Sequence, residues 1–224
     1  MFAKAVKYIN SSIVKKQTMG VAGLLLCGFI TMHFLGNLLI FVSPKAFNIY
    51  AHTLTSNPLI YIAEAGLLAI FLVHIGVGVK LTIENNNARP QKYYMKQPTG
   101  RGSNFSSSTM PYTGLIILVF LVLHILGLKF GTYYETSYDG VKMRDLYKLV
   151  MEYFSQPGAV FAYVAAMISL GIHLRHGFWS AFQSLGFNHP KYNSLVIASS
   201  KAFAFFMAIG FSSLPIFCFY KGGM

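Results

Sequence analysis

Five apolar stretches, each long enough to cross a lipid bilayer, divide the sequence. A helix of about 20 apolar residues spans the hydrocarbon core, and lipid requires a spanning chain to satisfy its own backbone hydrogen bonds. Hydrophobic residues make up 54% of the chain and charged residues only 11%. The sequence therefore predicts an all-α integral membrane protein with a single domain over residues 1–224. The predicted spans are residues 19–42, 59–83, 112–130, 158–182 and 194–219.

Basic residues concentrate in alternate connecting segments. The formal net charge is +12, and most of the basic residues outside the spans lie before the first span and between the second and third spans. Such an excess marks cytoplasmic segments of membrane proteins. We therefore expect the N-terminus and the second and fourth loops to face the cytoplasm. The sequence pattern shows neither a soluble domain nor a basic stripe that could bind nucleic acid. We therefore expect no nucleic-acid partner.

Three shorter segments flank these spans. In residues 1–18, the spacing of Phe2, Val6, Ile9 and Ile13 predicts a short amphipathic helix on the membrane surface. Residues 45–58 are interpreted as a loop. In the third loop, residues 143–154 are predicted to form a short interfacial helix.

Each of the first four spans carries one histidine near its middle: His33, His74, His124 and His173. Ionisable residues inside a span are costly and are functional by default. At about 1.5 Å per residue, His33 and His124 lie about 21 Å and about 19 Å from the cytoplasmic ends of their spans. His74 and His173 lie roughly 14 Å from theirs. The four histidines thus fall into two depth pairs.

Two imidazoles at one depth on facing helices can supply the two axial ligands of a haem. The pattern predicts that the first four spans form a haem-binding bundle with two stacked haems. His33 and His124 would bind the outer haem, and His74 and His173 the inner haem. The sequence has no CxxCH motif, so the haems would be non-covalent b haems. A lone histidine of this kind can instead be a hydrogen-bonded core residue or a proton relay.

Glycines near these histidines permit two interpretations. Small residues admit a flat macrocycle between helix backbones, and they equally allow close helix packing without a cofactor. The glycines concerned are Gly28, Gly36, Gly76, Gly78, Gly127, Gly171 and Gly177.

The end of the fourth span holds a second histidine, His176, which competes with His173 as a ligand. His173 is preferred because its surroundings are more apolar and its depth matches His74 better. Arg175 and His176 then become candidates for contacts with haem propionates. Arg175 can also be a snorkelling anchor at the membrane interface.

The ensemble resembles a known family. It comprises the four spaced histidines, the AFNIYAH stretch ending at His52, Pro58 and Glu64 ahead of His74, and HLRHGFWSAFQSLG at the end of the fourth span. These features resemble the cytochrome b subunit of succinate:quinone oxidoreductases, in the five-helix, di-haem, single-anchor form found in many bacteria. The resemblance covers nearly the whole chain.

The resemblance implies the membrane anchor of a succinate dehydrogenase or fumarate reductase in a bacterial cytoplasmic (inner) membrane. A flavoprotein subunit with the dicarboxylate site and an iron–sulfur subunit would dock on the cytoplasmic face. Two b haems would pass electrons between the iron–sulfur subunit and a quinone, usually menaquinone near the outer haem. A higher oligomer of the complex stays open.

Quinone chemistry also moves protons, and two ionisable residues are candidates for handling them. Glu64 is the only acidic residue within a predicted span, and His52 lies near the outer end. Glu64 can otherwise pair with a polar neighbour. His52 can otherwise be a plain loop histidine or a propionate contact.

Two other classes compete with this interpretation. The di-haem membrane subunit of a nitrate reductase or hydrogenase also uses paired histidines, but it often takes two ligands from one helix. A transporter could use intramembrane histidines as proton relays, but broken spans or repeated halves are then expected, and the sequence shows neither.

Overall fold

The computed structural model describes residues 11–88 and 105–222, and helices dominate both ranges. Five helices are long and apolar enough to cross a membrane. The predicted all-α, five-span fold is therefore confirmed. In chain order the elements are α1 (Ser12–Asn37), α2 (Pro44–Ser56), α3 (Leu59–Asn87), α4 (Phe105–Ser108), α5 (Met110–His124), β1 (Glu135–Tyr138), β2 (Val141–Arg144), α6 (Leu146–Tyr153), α7 (Pro157–Ser184) and α8 (Pro190–Gly222).

Two of the spanning helices change geometry before they end. A 3₁₀ turn, Leu38–Phe41, follows α1, and a π turn, Ile125–Lys129, follows α5. The helix α2, the β1–β2 hairpin and α6 connect the spans at one end of the bundle, which we call the hairpin end. The opposite end, where α1 begins, is called the N-terminal end.

The first span is longer than predicted. It begins at Ser12, and the Ser11 side chain caps it by accepting a 3.3 Å hydrogen bond from Val14 N. Residues 12–18 therefore continue the spanning helix, and the prediction of a separate surface helix is wrong for them. Elongating a helix costs little once it is nucleated, and no proline interrupts this stretch. The rest of that prediction, at Phe2, Val6 and Ile9, lies outside the described residues.

The segment interpreted as a loop, residues 45–58, is largely helical. Ser43 caps α2 by accepting a 3.1 Å bond from Ala46 N, and Pro44 occupies the first turn. Proline is favoured there because its missing N–H has no partner to lose. The Ser–Pro step thus ends one helix and starts another.

The helix predicted at residues 143–154 begins three residues late, at Leu146. Residues Val141–Arg144 instead pair with Glu135–Tyr138 as an antiparallel hairpin. Asp139 and Gly140 form its turn with φ angles of 53° and 81°, and two positive φ angles are typical of a tight Asp-Gly hairpin turn. A short helix in the third loop is confirmed, and its position at the membrane interface stays a prediction.

The first four spans form a bundle in which adjacent helices pack unequally. Helix α1 packs against α3 and α7, and α5 packs against α7, whereas α3 and α5 touch at few positions. Consequently α1 faces α5 across one diagonal of the bundle, and α3 faces α7 across the other. Helix α8 packs on the outside, mainly against α7.

The buried side chains lie mostly on one side of this bundle. One cluster joins α1, α7 and α8 around Phe34, Leu174 and Met207. A second cluster at the hairpin end includes Phe47 and Phe154. Helix α3 contributes no buried residue, and α5 contributes only Thr113 among the residues described.

Candidate functional site

The structure brings His33 and His124 together across the α1–α5 diagonal. Their ring centroids are 5.9 Å apart, with the rings nearly perpendicular. Counted along the helices, they lie roughly 12 Å and roughly 8 Å from the hairpin ends of their spans. Phe29 stacks on His33 with centroids 5.5 Å apart, and Phe211 lies on it at 6.0 Å. We call this the hairpin-end pair.

The structure brings His74 and His173 together across the α3–α7 diagonal. Their ring centroids are 6.2 Å apart at an interplanar angle of 59°. Both lie roughly 23 Å from the hairpin ends of their helices. This second pair, which we call the N-terminal-end pair, is therefore about 13 Å farther from the hairpin end of the bundle than the first.

Both pairs have the spacing of two axial ligands on one metal. Metal–nitrogen bonds of imidazole are about 2 Å long, which puts two axial ring centroids about 6 Å apart. Within residues 11–88 and 105–222, no three His, Cys, Asp or Glu side chains converge to hold a bare ion. A haem iron takes its remaining ligands from the macrocycle and needs two from the protein. The donor set thus fits haem better than a bare metal ion.

In the N-terminal-end pair, Thr113 lies next to one of the two ring nitrogens of His173. The Thr113 hydroxyl donates to the carbonyl oxygen of Thr109 at 3.1 Å, and its oxygen lies 3.2 Å from His173 Nδ1. With that hydroxyl proton on the backbone carbonyl, the Thr113 oxygen is free to accept a hydrogen bond from His173 Nδ1–H. The lone pair of His173 is then left on Nε2, as metal-ligating histidines require.

Tyr163 plays the same part in the hairpin-end pair. Its buried hydroxyl lies 3.3 Å from His124 Nδ1. When His124 Nδ1–H donates to this hydroxyl oxygen, Nε2 is again the free nitrogen. Neither Thr113 nor Tyr163 was predicted from the sequence, although a polar group inside an apolar span is a visible signal.

Two glycines on neighbouring helices lie against the histidines of the N-terminal-end pair. A Cβ atom at Gly23 would lie 3.6 Å from His74 Cε1, and one at Gly114 would lie 3.6 Å from His173 Cε1. Neither glycine was singled out in the sequence. Within the described part of the chain, His74 Nδ1 is buried without a hydrogen-bond partner.

The glycines that were singled out divide into two groups. One group packs against side chains: Gly36 meets Tyr50, Gly78 meets Met19, Gly127 meets Tyr153 and Gly171 meets Ala208. These contacts serve close packing. The other group, Gly28, Gly76 and Gly177, would meet no atom within 4 Å if a Cβ were added.

His176 lies one turn beyond His173 and does not join the pair. Its ring lies against Trp179 at a centroid distance of 6.0 Å, and its buried Nδ1 has no hydrogen-bond partner in the described ranges. The ring next to His74 is that of His173. Arg175 is exposed, and two residues along a helix place it roughly 200° around the axis from His173.

Glu64 is paired with a lysine on another span. Its Oε1 lies 2.5 Å from Lys129 Nζ, so the carboxylate on α3 meets the last residue of the π turn after α5. His52 lies on α2 and is partly buried. Among the residues described, its side chain has no hydrogen-bond or ion-pair partner.

Arg144 fastens the hairpin to the end of the third span. Its guanidinium donates to the carbonyl oxygens of Leu128, Lys129, Gly131 and Thr132 at 2.9–3.2 Å. Carbonyls at a helix end lack partners within the helix. Arg144 therefore caps the π turn that carries Lys129.

A second polar link joins α2 to the segment around α6. The fully buried Asn48 donates to Asp145 Oδ1 at 2.8 Å and accepts from Tyr147 N at 2.9 Å. At the surface of the same end of the bundle, the Tyr134 hydroxyl donates to Glu152 Oε2 at 2.5 Å. That bond to a carboxylate is the main cause that raises the pKa of Tyr134 above its ordinary value.

Comparison with family models, with curated proteins and with solved structures finds no match to this chain. The functional conclusion therefore depends on the histidine pairs and on the residues around them.

Proposed function

We propose that this chain is the membrane-anchor cytochrome b subunit of a succinate:quinone oxidoreductase, either a succinate dehydrogenase or a fumarate reductase. The observation that carries the proposal is the arrangement of four histidines as two pairs. Each pair bridges one diagonal of the bundle, and the two pairs lie at different depths. A proton relay or a core hydrogen bond does not call for two imidazole pairs at axial-ligand spacing.

In this proposal each pair holds one b haem. His33 and His124 bind the haem at the hairpin end, and His74 and His173 bind the other. When bound, the haems supply one-electron transfer at two depths of the membrane. Tyr163 and Thr113 would accept from Nδ1–H of one imidazole in each pair, which orients the ring and keeps its Nε2 free.

His176 is assigned to a haem propionate. Its buried Nδ1 has no partner among the described residues, and it lies one turn from His173 toward the N-terminal end. Donation to a carboxylate would satisfy that nitrogen. Arg175, on the other face of α7, is assigned to anchoring at the lipid headgroups rather than to a propionate.

The charge distribution supports the orientation of the chain in the membrane, which we propose to be a bacterial cytoplasmic membrane. The basic N-terminal end would face the cytoplasm, where the flavoprotein and iron–sulfur subunits would dock. Electrons would then cross between that end and a quinone, proposed to be menaquinone, at the hairpin end. Glu64 and His52 would handle protons there. The dicarboxylate site would lie on the flavoprotein subunit.

A redox-difference spectrum of the purified chain tests the cofactor assignment. We expect a b-type signal with two haems per chain, and a spectrum without such a signal would contradict the proposal. Copurification tests the partner: a bound flavoprotein that turns over succinate supports it. Two b haems together with a different soluble partner would favour the nitrate reductase-like or hydrogenase-like alternative.

A further inference from the structure

The ion pair between Glu64 and Lys129 spans the seam between α3 and α5. These two helices touch at few other positions. Helix α3 is tied at its opposite end by an ion pair of Glu84 with Lys15 on α1. The Glu64–Lys129 pair is thus a direct polar link between the two adjacent spans of the four-helix bundle that pack least against each other.

The π turn decides where Lys129 points. Phe130 N bonds to Ile125 O at 3.0 Å, which closes a wide turn directly after His124. A π turn holds one residue more than an α turn, so it rotates the following side chains by about 100° relative to a continuous α-helix. Without it, Lys129 would leave the direction of Glu64. Arg144 holds the carbonyls of this turn and so fixes its shape.

The ion pair lies near the depth of the hairpin-end histidines and is open to approach. Lys129 follows His124 by five residues, a rise of at most about 8 Å along the helix. The side chains of Lys129 and Glu64 are 48% and 42% exposed. On the α7 side of His124, by contrast, Phe120 and the buried Tyr163 lie against the ring. The α3–α5 seam is therefore the more open approach to this pair.

We propose that Lys129 is a positioning residue that holds the Glu64 carboxylate in the α3–α5 seam, where it meets the headgroup of a quinone. This inference rests on the proposed function and adds a residue to it. The ammonium group fixes one carboxylate oxygen, and the other stays available to accept a hydrogen bond from a quinol hydroxyl. The lysine can also donate to a quinone carbonyl oxygen. A membrane-soluble ring with oxygens at both ends suits this donor–acceptor pair.

A set of variants in the intact complex tests this role. Lys129→Met removes the charge, Lys129→Arg keeps it, and the double change Glu64→Lys with Lys129→Glu reverses the pair. Lys45→Met is the matched control, because Lys45 forms a 2.9 Å ion pair with Asp139 at the same end but away from the seam. Three readouts are needed: haem content, binding of a hydroxynaphthoquinone analogue, and quinol turnover resolved into kcat and KM.

We expect Lys129→Met to keep both haems and to weaken analogue binding by about tenfold, the usual effect of losing a charge-assisted hydrogen bond. Lys129→Arg should recover most of the binding, and Lys45→Met should match the unaltered protein. The reversed pair should restore the tie between helices but not turnover, because the carboxylate is then on the wrong helix.

Two outcomes would overturn the inference. If Lys129→Met binds the analogue and turns over like the unaltered protein, the lysine has no positioning role. Full turnover in the reversed pair would show that the ion pair only holds the two helices together. Failure of the proposed function looks different, because the unaltered protein would then lack b haem or would fail to bind the analogue.

Discussion

The two histidine pairs share one geometry but have different surroundings. Aromatic rings crowd the hairpin-end pair: Phe29 and Phe211 lie on His33, and Phe120 and Tyr163 lie on His124. Glycines and a threonine adjoin the N-terminal-end pair, with Gly23 at His74 and both Gly114 and Thr113 at His173.

This difference teaches that imidazole spacing and imidazole environment are set separately. The spacing comes from which helices face each other across the bundle, whereas the environment comes from side chains of the same helix and of neighbouring helices at each depth. Hydrogen bonding and burial around a haem tune its reduction potential. If the pairs hold haems, we therefore expect two distinguishable midpoint potentials. Four sets of variants test this difference between the two pairs.

The largest effect is expected from replacing the histidines themselves. His33→Ala and His124→Ala should each remove the same haem, while His74→Ala and His173→Ala should remove the other. Each loss follows because an axial ligand disappears and the partner cannot replace it. Haem content should fall from two to one per chain in all four, measured by redox-difference spectra. Loss of different haems within one pair would contradict the pairing.

Arg144→Met should affect the hairpin-end pair alone. It removes hydrogen bonds to four carbonyl oxygens at the end of α5, at a cost of about 2 kcal/mol in stability. On heating, the haem signal of the hairpin end should be lost at a lower temperature. The signal of the other pair serves as the internal control. An equal shift in both signals would show that the hydrogen bonds of Arg144 stabilise the whole bundle.

Tyr163→Phe and Thr113→Val form a matched pair of smaller changes. Each removes a hydrogen-bond partner of one histidine Nδ1 and leaves the ring or side-chain shape nearly unchanged. Loss of such an outer partner typically weakens metal binding by about 10- to 100-fold. We expect Tyr163→Phe to shift the potential of the hairpin-end haem and Thr113→Val that of the other. A redox titration measures both, and crossed effects would refute these assignments.

The smallest effect is expected from His176→Gln. Both haems should remain, because His173 and not His176 lies next to His74. Glutamine keeps a donor near the same place, so a small shift in one potential is the expected result of altered propionate contact. If His176→Gln removed a haem while His173→Gln kept it, the ligand assignment at this turn would be reversed.

The spans were predictable because the bilayer imposes length and apolarity on the sequence itself. The connecting elements were predicted less well. The Ser43–Pro44 step and the Asp139–Gly140 turn are local signals, yet hydropathy alone treats both regions as loops. The hairpin then displaced the start of the next helix from Met143 to Leu146, since a residue in a strand pair cannot also begin a helix.

The candidate site shows the same division. Counting depth along the sequence grouped the same histidines that the structure brings together, because rise per residue is nearly constant in a helix. Thr113, Tyr163 and Lys129 escaped that reasoning. Their roles depend on how each helix is rotated, and for Lys129 on a π turn that hydropathy does not encode. The binding of haem at these histidines stays a proposal.

The order of the histidines along the chain has a consequence for biosynthesis. A ribosome delivers the spans from the N-terminus onward, so His33 and His124 are both present once the third span has entered the membrane. His74 must wait for His173 on the fourth. The hairpin-end pair can therefore close first, and the newly made Tyr163 and Phe211 then arrive to enclose it. Assembly would proceed from that end of the bundle toward the other.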